Sequence, residues 1–187
     1  STYNQSVTQI PVLRRRVDEL FELTGFTKNS HSGKDLLQFV ETYPRDDFFQ
    51  TDAAEMFPIA RGVLLIHQRR QTRLFTRADR YGRYVSCLVY LPRDRYNTHV
   101  RMRIQNTLLK AYGGRWVDHS ALLTESVLAR LHIVVYMPAG QPIPEVDTAA
   151  VERDLAQAVQ SWSDHLAQSL TTAAGEERAG DLYTRYE

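Results

Sequence analysis

Cys87 is the only cysteine in 187 residues, so no intrachain disulfide can form, and the composition fits a reducing, cytoplasmic setting. Long apolar runs are also missing. None approaches the roughly 20 residues of a membrane-spanning helix, and no signal peptide is visible. The nine glycines nowhere form the G-x-G-x-x-G turn that would seat a dinucleotide between a strand and a helix. Lysine is nearly absent, with arginine supplying 20 of the 23 basic side chains. A formal net charge of +1 gives no global attraction to nucleic acid or to a membrane surface.

What is present suffices for an ordered fold. Hydrophobic residues make up 43% of the chain and charged residues 24%, a balance that excludes disorder. The length suits one domain, or one domain with an appendage. A start at Ser1 and an end at Glu187 in helical-looking sequence lead us to expect a piece of a longer polypeptide. Charge is unevenly spread. Residues 61–103 carry eleven arginines against Asp79 and Asp94, whereas the segments on either side are net acidic.

The pattern divides the chain into a helical section, 1–68, and an α/β section, 69–187. Pro11 starts a helix to about Leu23, with Gly25 as its stop. "SGKD" (32–35) has capping-box spacing, which makes Ser32 the expected cap of a second helix; the rest of a phosphate loop is absent. A third helix is expected from Asp52 to His67, with Phe57, Ala60, Leu64 and His67 on its apolar stripe. Strand formers then dominate 72–77 and 84–91, with Gly82 closing the hairpin between them. A helix over 98–112 carries Val100, Ile104, Leu108 and Ala111 on one face. Strands over 116–123 and 130–137 follow. Asp147 caps a long helix, 148–170, striped by Val151, Leu155, Val159, Trp162 and Leu166. This order specifies an α+β two-layer sandwich with a four-stranded, mainly antiparallel sheet. It is ACT- or ferredoxin-like, in a circularly permuted form if 72–77 fills the edge beside 84–91. The continuous apolar character of 84–91 and 130–137 puts those two strands at the centre.

Two blocks, "HSGKDLLQFVETYPRDDFFQ" (31–50) and "RYVSCLVYLPRDRYNTHVRMRI" (83–104), resemble the N-terminal regulatory half of the large bacterial NAD-specific glutamate dehydrogenases. "LTESVLARLHIVVY" (123–136) is similar to the same region. That region carries ACT-like and PAS-like modules ahead of a separate catalytic domain. The resemblance implies a regulatory or assembly segment of an enzyme that deaminates L-glutamate to 2-oxoglutarate and reduces NAD. It implies no cofactor in this segment, with NAD held by the parent's catalytic domain. The implied partners are other domains and subunits of a homo-oligomer, with an amino acid as a candidate effector. No catalytic residue of the family matches a motif here, so none is assigned.

"PRDRYNT" (92–98) is the candidate site. Its structural reading is that Pro92 ends a strand, Asp94 pairs with an arginine, and Asn97 or Thr98 caps the next helix. Its functional reading places Arg93, Asp94, Arg95, Tyr96, Asn97 and Thr98 at an effector or interdomain contact. Helix-start amides and two arginines can together hold a carboxylate. The glycine common in that connection of ACT modules is missing. Among other residues, the six histidines lack zinc-site spacing, Cys87 reads as a buried structural thiol, and "VDHS" (117–120) cannot form a triad along one strand. The competing function is a free-standing nucleic-acid module built on the arginine-rich region 61–103, with Tyr81 and Tyr84 available for stacking. The near-neutral total and acidic flanks weigh against it.

Overall fold

The computed structural model describes residues 5–67 and 69–183. Ser1 and Glu187, whose flanks suggested an interrupted chain, and residue 68 at the expected section boundary lie outside the described residues. The chain forms two compact units, Ser1–Gln71 and Thr72–Glu187.

The first unit is helical: α1 (Pro11–Thr24), α2 (His31–Thr42), α3 (Arg45–Gln50) and α4 (Ala53–Ile66). Pro11 opens α1, and Gly25 closes it at φ 70 with its N–H on the Phe21 carbonyl. The cap of α2 is Ser30 rather than Ser32. A turn closed by the Ser30 N–H on the Thr27 carbonyl starts the helix two residues earlier, and the Ser30 hydroxyl accepts from the Gly33 N–H at 3.0 Å. Helix α3 was not anticipated, because six residues are too few to display a period; Asp46 and Asp47 in its first turn favour the positive end of its dipole. Asp52 and Glu55 cap α4 reciprocally. Its buried stripe is Met56, Ile59, Ala60, Val63 and Ile66, not the expected one. Of that set only Ala60 is buried, and His67 is exposed. Apolar residues surround this helix almost completely, so spacing alone could not choose the face.

The second unit contains β1 (Arg73–Ala78), β2 (Tyr84–Pro92), α5 (Thr98–Tyr112), β3 (Trp116–Leu122), β4 (Leu128–Tyr136) and α6 (Thr148–Tyr183). The sheet order is β1-β2-β4-β3 and every pairing is antiparallel. The expected central strands are central, and β1 pairs with β2 as the permuted ferredoxin-like reading required.

Alternation explains which face the helices cover. Val85, Cys87, Val89 and Leu91 of β2 and Ala129, Leu131, Ile133 and Val135 of β4 meet Val100, Ile104, Leu108 and Tyr112 of α5 and Val151, Leu155 and Val159 of α6 in one core. Each large aliphatic side chain buried there contributes about 1.5–3 kcal/mol of transfer free energy. Tyr112 takes the inward place expected for Ala111, which is half-buried. The α6 stripe also stops early, because Leu166 is 49% exposed where the helix has passed the core. Gly82 adopts φ 71 in the β1–β2 hairpin, and Gly113 ends α5 at φ 62.

Candidate functional site

Residues 92–98 link the central strand β2 to α5. Pro92 is the last ladder residue, paired with Leu128, and the Arg93 N–H donates to the Val127 carbonyl at 2.9 Å. Arg93, Asp94 and Arg95 then make one turn of 3-10 helix, all three exposed. Tyr96 turns back against the core, half-buried. Asn97, extended at φ −153, is the cap, its Oδ1 accepting from the Val100 N–H at 2.9 Å. Thr98 is the first helical residue and is exposed.

The six residues therefore divide by task. Tyr96 and Asn97 hold the connection, while Arg93, Asp94 and Arg95 face solvent at its mouth. Neither arginine makes an ion pair with a described residue. The first-turn N–H groups at Thr98 and His99 have no acceptor within their own helix, and they follow the two exposed arginines by a few residues.

Sequence reasoning missed the pairing of His99 with Trp162. The two rings stack with centroids 4.7 Å apart and tie α6 to the start of α5. No local signal could have revealed it, since the partners are 63 positions apart. An open groove of about 680 Å³ lies farther along these helices, lined by Arg103, Thr107 and Lys110 on one wall and Asp154, Gln157 and Ser161 on the other. None of residues 93–98 lines it.

Two arginines of the basic region, Arg73 and Arg83, are committed to ion pairs. Arg73 Nε lies 3.1 Å from a Glu152 carboxylate oxygen, and the Leu74 N–H donates to the same oxygen at 2.9 Å. Asp79 is buried in the hairpin and accepts from Arg83 three times, at Nε (2.8 Å), a terminal guanidinium nitrogen (3.1 Å) and the backbone N–H (3.1 Å). The guanidinium hydrogen bonds of Arg83 hold the Asp79 carboxyl below its ordinary range, and Asp79 raises Arg83 in return.

The remaining candidates behave as side chains of a scaffold. Cys87 is fully buried in the core. Ser86 Oγ and His132 Nε2 lie 2.8 Å apart across β2 and β4. Asp118 caps the backbone N–H of His119 at 2.9 Å, and no triad forms in that strand. Among the described residues no group of three or more His, Cys, Asp or Glu is disposed to hold a metal ion, and no helix is long and apolar enough to cross a membrane. The β2–α5 connection has no glycine, and the sheet beside it is antiparallel throughout. A dinucleotide crevice of the doubly wound kind does not fit these residues.

Comparison with known proteins covers nearly the whole chain. Residues 73–163 match the family described as glutamate dehydrogenase, ACT2 domain, and residues 10–69 match glutamate dehydrogenase, helical motif 1. The chain is 38% identical over 186 residues to an NAD-specific glutamate dehydrogenase of Halomonas elongata, covering 100% of this chain and 12% of that protein. It is 37% identical over 182 residues to one from Pseudomonas aeruginosa, covering 97% of the chain and 11% of the relative. A Mycobacterium tuberculosis protein of the same description is 35% identical over 191 residues, covering 96% and 12%. The chain thus spans about an eighth of the length of these relatives.

Proposed function

The chain belongs to the NAD-specific glutamate dehydrogenases, carrying their ACT2 domain and helical motif 1, and from that premise we propose that it is a non-catalytic regulatory and assembly module of such an enzyme. The parent would oxidise L-glutamate to 2-oxoglutarate and ammonia, with NAD held by a catalytic domain outside this chain, in the cytoplasm and as a homo-oligomer.

One observation carries the reading at residue level. Arg93 and Arg95, on either side of Asp94 at the capped start of α5, are exposed and make no ion pair with a described residue. Two exposed arginines beside a helix start suit a carboxylate, from an amino-acid effector or from a neighbouring domain of the parent. The test is alanine replacement of Arg93 and Arg95 in a full-length parent. Altered effector response or oligomer size is expected. Unchanged kinetics, effector sensitivity and assembly would reduce the loop to a strand end and a helix cap.

The nucleic-acid reading gains nothing comparable. Arg73 and Arg83, central to the basic region, are neutralised by Glu152 and Asp79. Titration with single-stranded oligonucleotides at two salt concentrations separates the readings, since a strand-binding module would bind with steep salt dependence.

A further inference from the structure

Both edges of the sheet carry a carboxylate on an outward backbone donor. On β1 the Leu74 N–H is held by Glu152 at 2.9 Å. On β3 the donor belongs to His119. The Met137 N–H donates to the Arg83 carbonyl, so odd-numbered residues of β4 turn their backbone groups toward β2. Ile133 is one of them. His119, opposite Ile133, therefore points its N–H away from the ladder, where Asp118 Oδ1 accepts it at 2.9 Å. Edges masked in this way resist extension by another strand.

The helical side is different, because the groove between α5 and α6 holds charges of both signs that are not paired. His99 stacks on Trp162, and from there the groove runs toward Lys110 on one wall and back toward Val151 on the other, so the two helices are antiparallel. Eight residues on from each stacked ring, Thr107 and Asp154 come level. Arg103 and Lys110 lie two turns apart, about 10 Å along α5, with the level of Asp154 between them. All three charged residues are exposed, and none makes an ion pair with a described residue. Between the walls lie Ala111 and Ala158, whose small side chains let another helix approach closely.

We propose that this α5–α6 groove is the surface on which a second copy of the chain docks, about a two-fold axis running along the groove. That operation lays α5 of each copy over α6 of the other at unchanged height. Asp154 of each copy then falls between Arg103 and Lys110 of its partner, the reciprocal contact that a two-fold interface requires. An unrelated acidic helix would satisfy the two cations and leave Asp154 against like charge, and a basic helix would do the reverse. The chain itself carries both signs at the required spacing. The proposal deepens the assembly part of the module reading and rests on that part, but it uses none of residues 93–98, so each surface is tested separately.

Sedimentation of the 187-residue chain from about 1 to 200 µM should show a reversible monomer–dimer equilibrium that weakens as salt rises. Two charge-reversed variants are then compared, one carrying Arg103→Glu with Lys110→Glu and the other Asp154→Arg. Each alone meets only like charge across the two-fold and should lose about tenfold or more in self-association. Mixed in equal amounts, the two meet opposite charge in both halves of the contact and should form a mixed dimer of nearly the original affinity. Circular dichroism checks that each variant keeps its fold. If either unfolds, Arg103→Gln with Lys110→Gln, and Asp154→Asn, which introduce no repulsion, must each still weaken the dimer. A chain that stays monomeric over the whole range overturns the proposal, as does a dimer that no variant disturbs. Variants that lose the dimer singly and fail to pair when mixed also overturn it, in favour of another occupant of the groove.

Discussion

Glu152 and Arg73 are joined across the edge of the sheet. The carboxylate oxygen of Glu152, on α6, lies 3.1 Å from Arg73 Nε and also accepts from the Leu74 N–H at 2.9 Å. A helix side chain thus occupies a strand-edge donor that would otherwise be available to another chain. Replacement of Glu152 by alanine should cost about 1–2 kcal/mol, since a backbone donor and a half-buried guanidinium both lose their acceptor. Glu152→Gln keeps an acceptor and should lose less. Urea denaturation of the two variants checks the order; equal stability of both with the parent chain would show that the contact contributes nothing.

The cap and the arginines of the β2–α5 connection should separate cleanly. Asn97→Ala removes the acceptor of the Val100 N–H and should cost about 1 kcal/mol. Arg93→Ala and Arg95→Ala should each leave the chain within about 0.5 kcal/mol of the original, as exposed residues outside any ion pair. Chemical denaturation of the three single variants tests this, and a large loss at either arginine would assign it a structural role instead.

The Asp79–Arg83 pair makes an acid-side prediction. Hydrogen bonds from Arg83 lower the folded-state pKa of Asp79 below its ordinary value of 3.8. The stabilisation is therefore complete above that value and is lost as pH falls through the lower folded-state pKa. Asp79→Asn should be less stable at neutral pH by about 1–3 kcal/mol, the usual cost of removing a charged acceptor, and the gap should narrow on acidification. Thermal unfolding between pH 7 and pH 2 reads this directly; a gap independent of pH would show that the charge on Asp79 is immaterial.

Two glycines should differ in how they fail. A Cβ at Gly114 would fall 2.3 Å from Val135 Cγ1, inside the core, so Gly114→Ala forces repacking at about 1–3 kcal/mol. At Gly82 there is open space but φ is 71, so Gly82→Ala should cost only the roughly 1–2 kcal/mol of a left-handed L-residue. Near-ultraviolet circular dichroism should change for the first variant and not for the second, as only the first disturbs packing around Tyr112 and Trp116.

A last expectation concerns chemistry. The 187-residue chain alone should show no glutamate-dependent reduction of NAD, because its sequence has no glycine-rich dinucleotide turn. Turnover that persists through repurification, followed by absorbance of the reduced cofactor, would refute the module reading.

Local sequence determined much of this molecule. Strand periodicity over 84–91 and 130–137, the glycine at 82 and the stop at Gly113 act within a few residues and read the same way in isolation as in the fold, whereas the cap of α5 was narrowed to Asn97 or Thr98 and the fold chose Asn97. The sheet order followed as well, because the two strands with the most continuous apolar character lie at the centre. Other choices had no local signal. The face of α4 was undecided while apolar residues surrounded it, and only packing selected Met56, Val63 and Ile66. Capping-box spacing pointed to Ser32 as the cap of α2, but the turn at Thr27 makes Ser30 the cap. Leu166 has the spacing of a core residue, yet α6 extends past the sheet before reaching it. The candidate surfaces divide in the same way. The loop 92–98 was visible because its residues are contiguous, whereas Glu152 on Arg73, Trp162 on His99 and Trp116 on Tyr136 join positions 79, 63 and 20 apart, and only the folded chain brings such partners together.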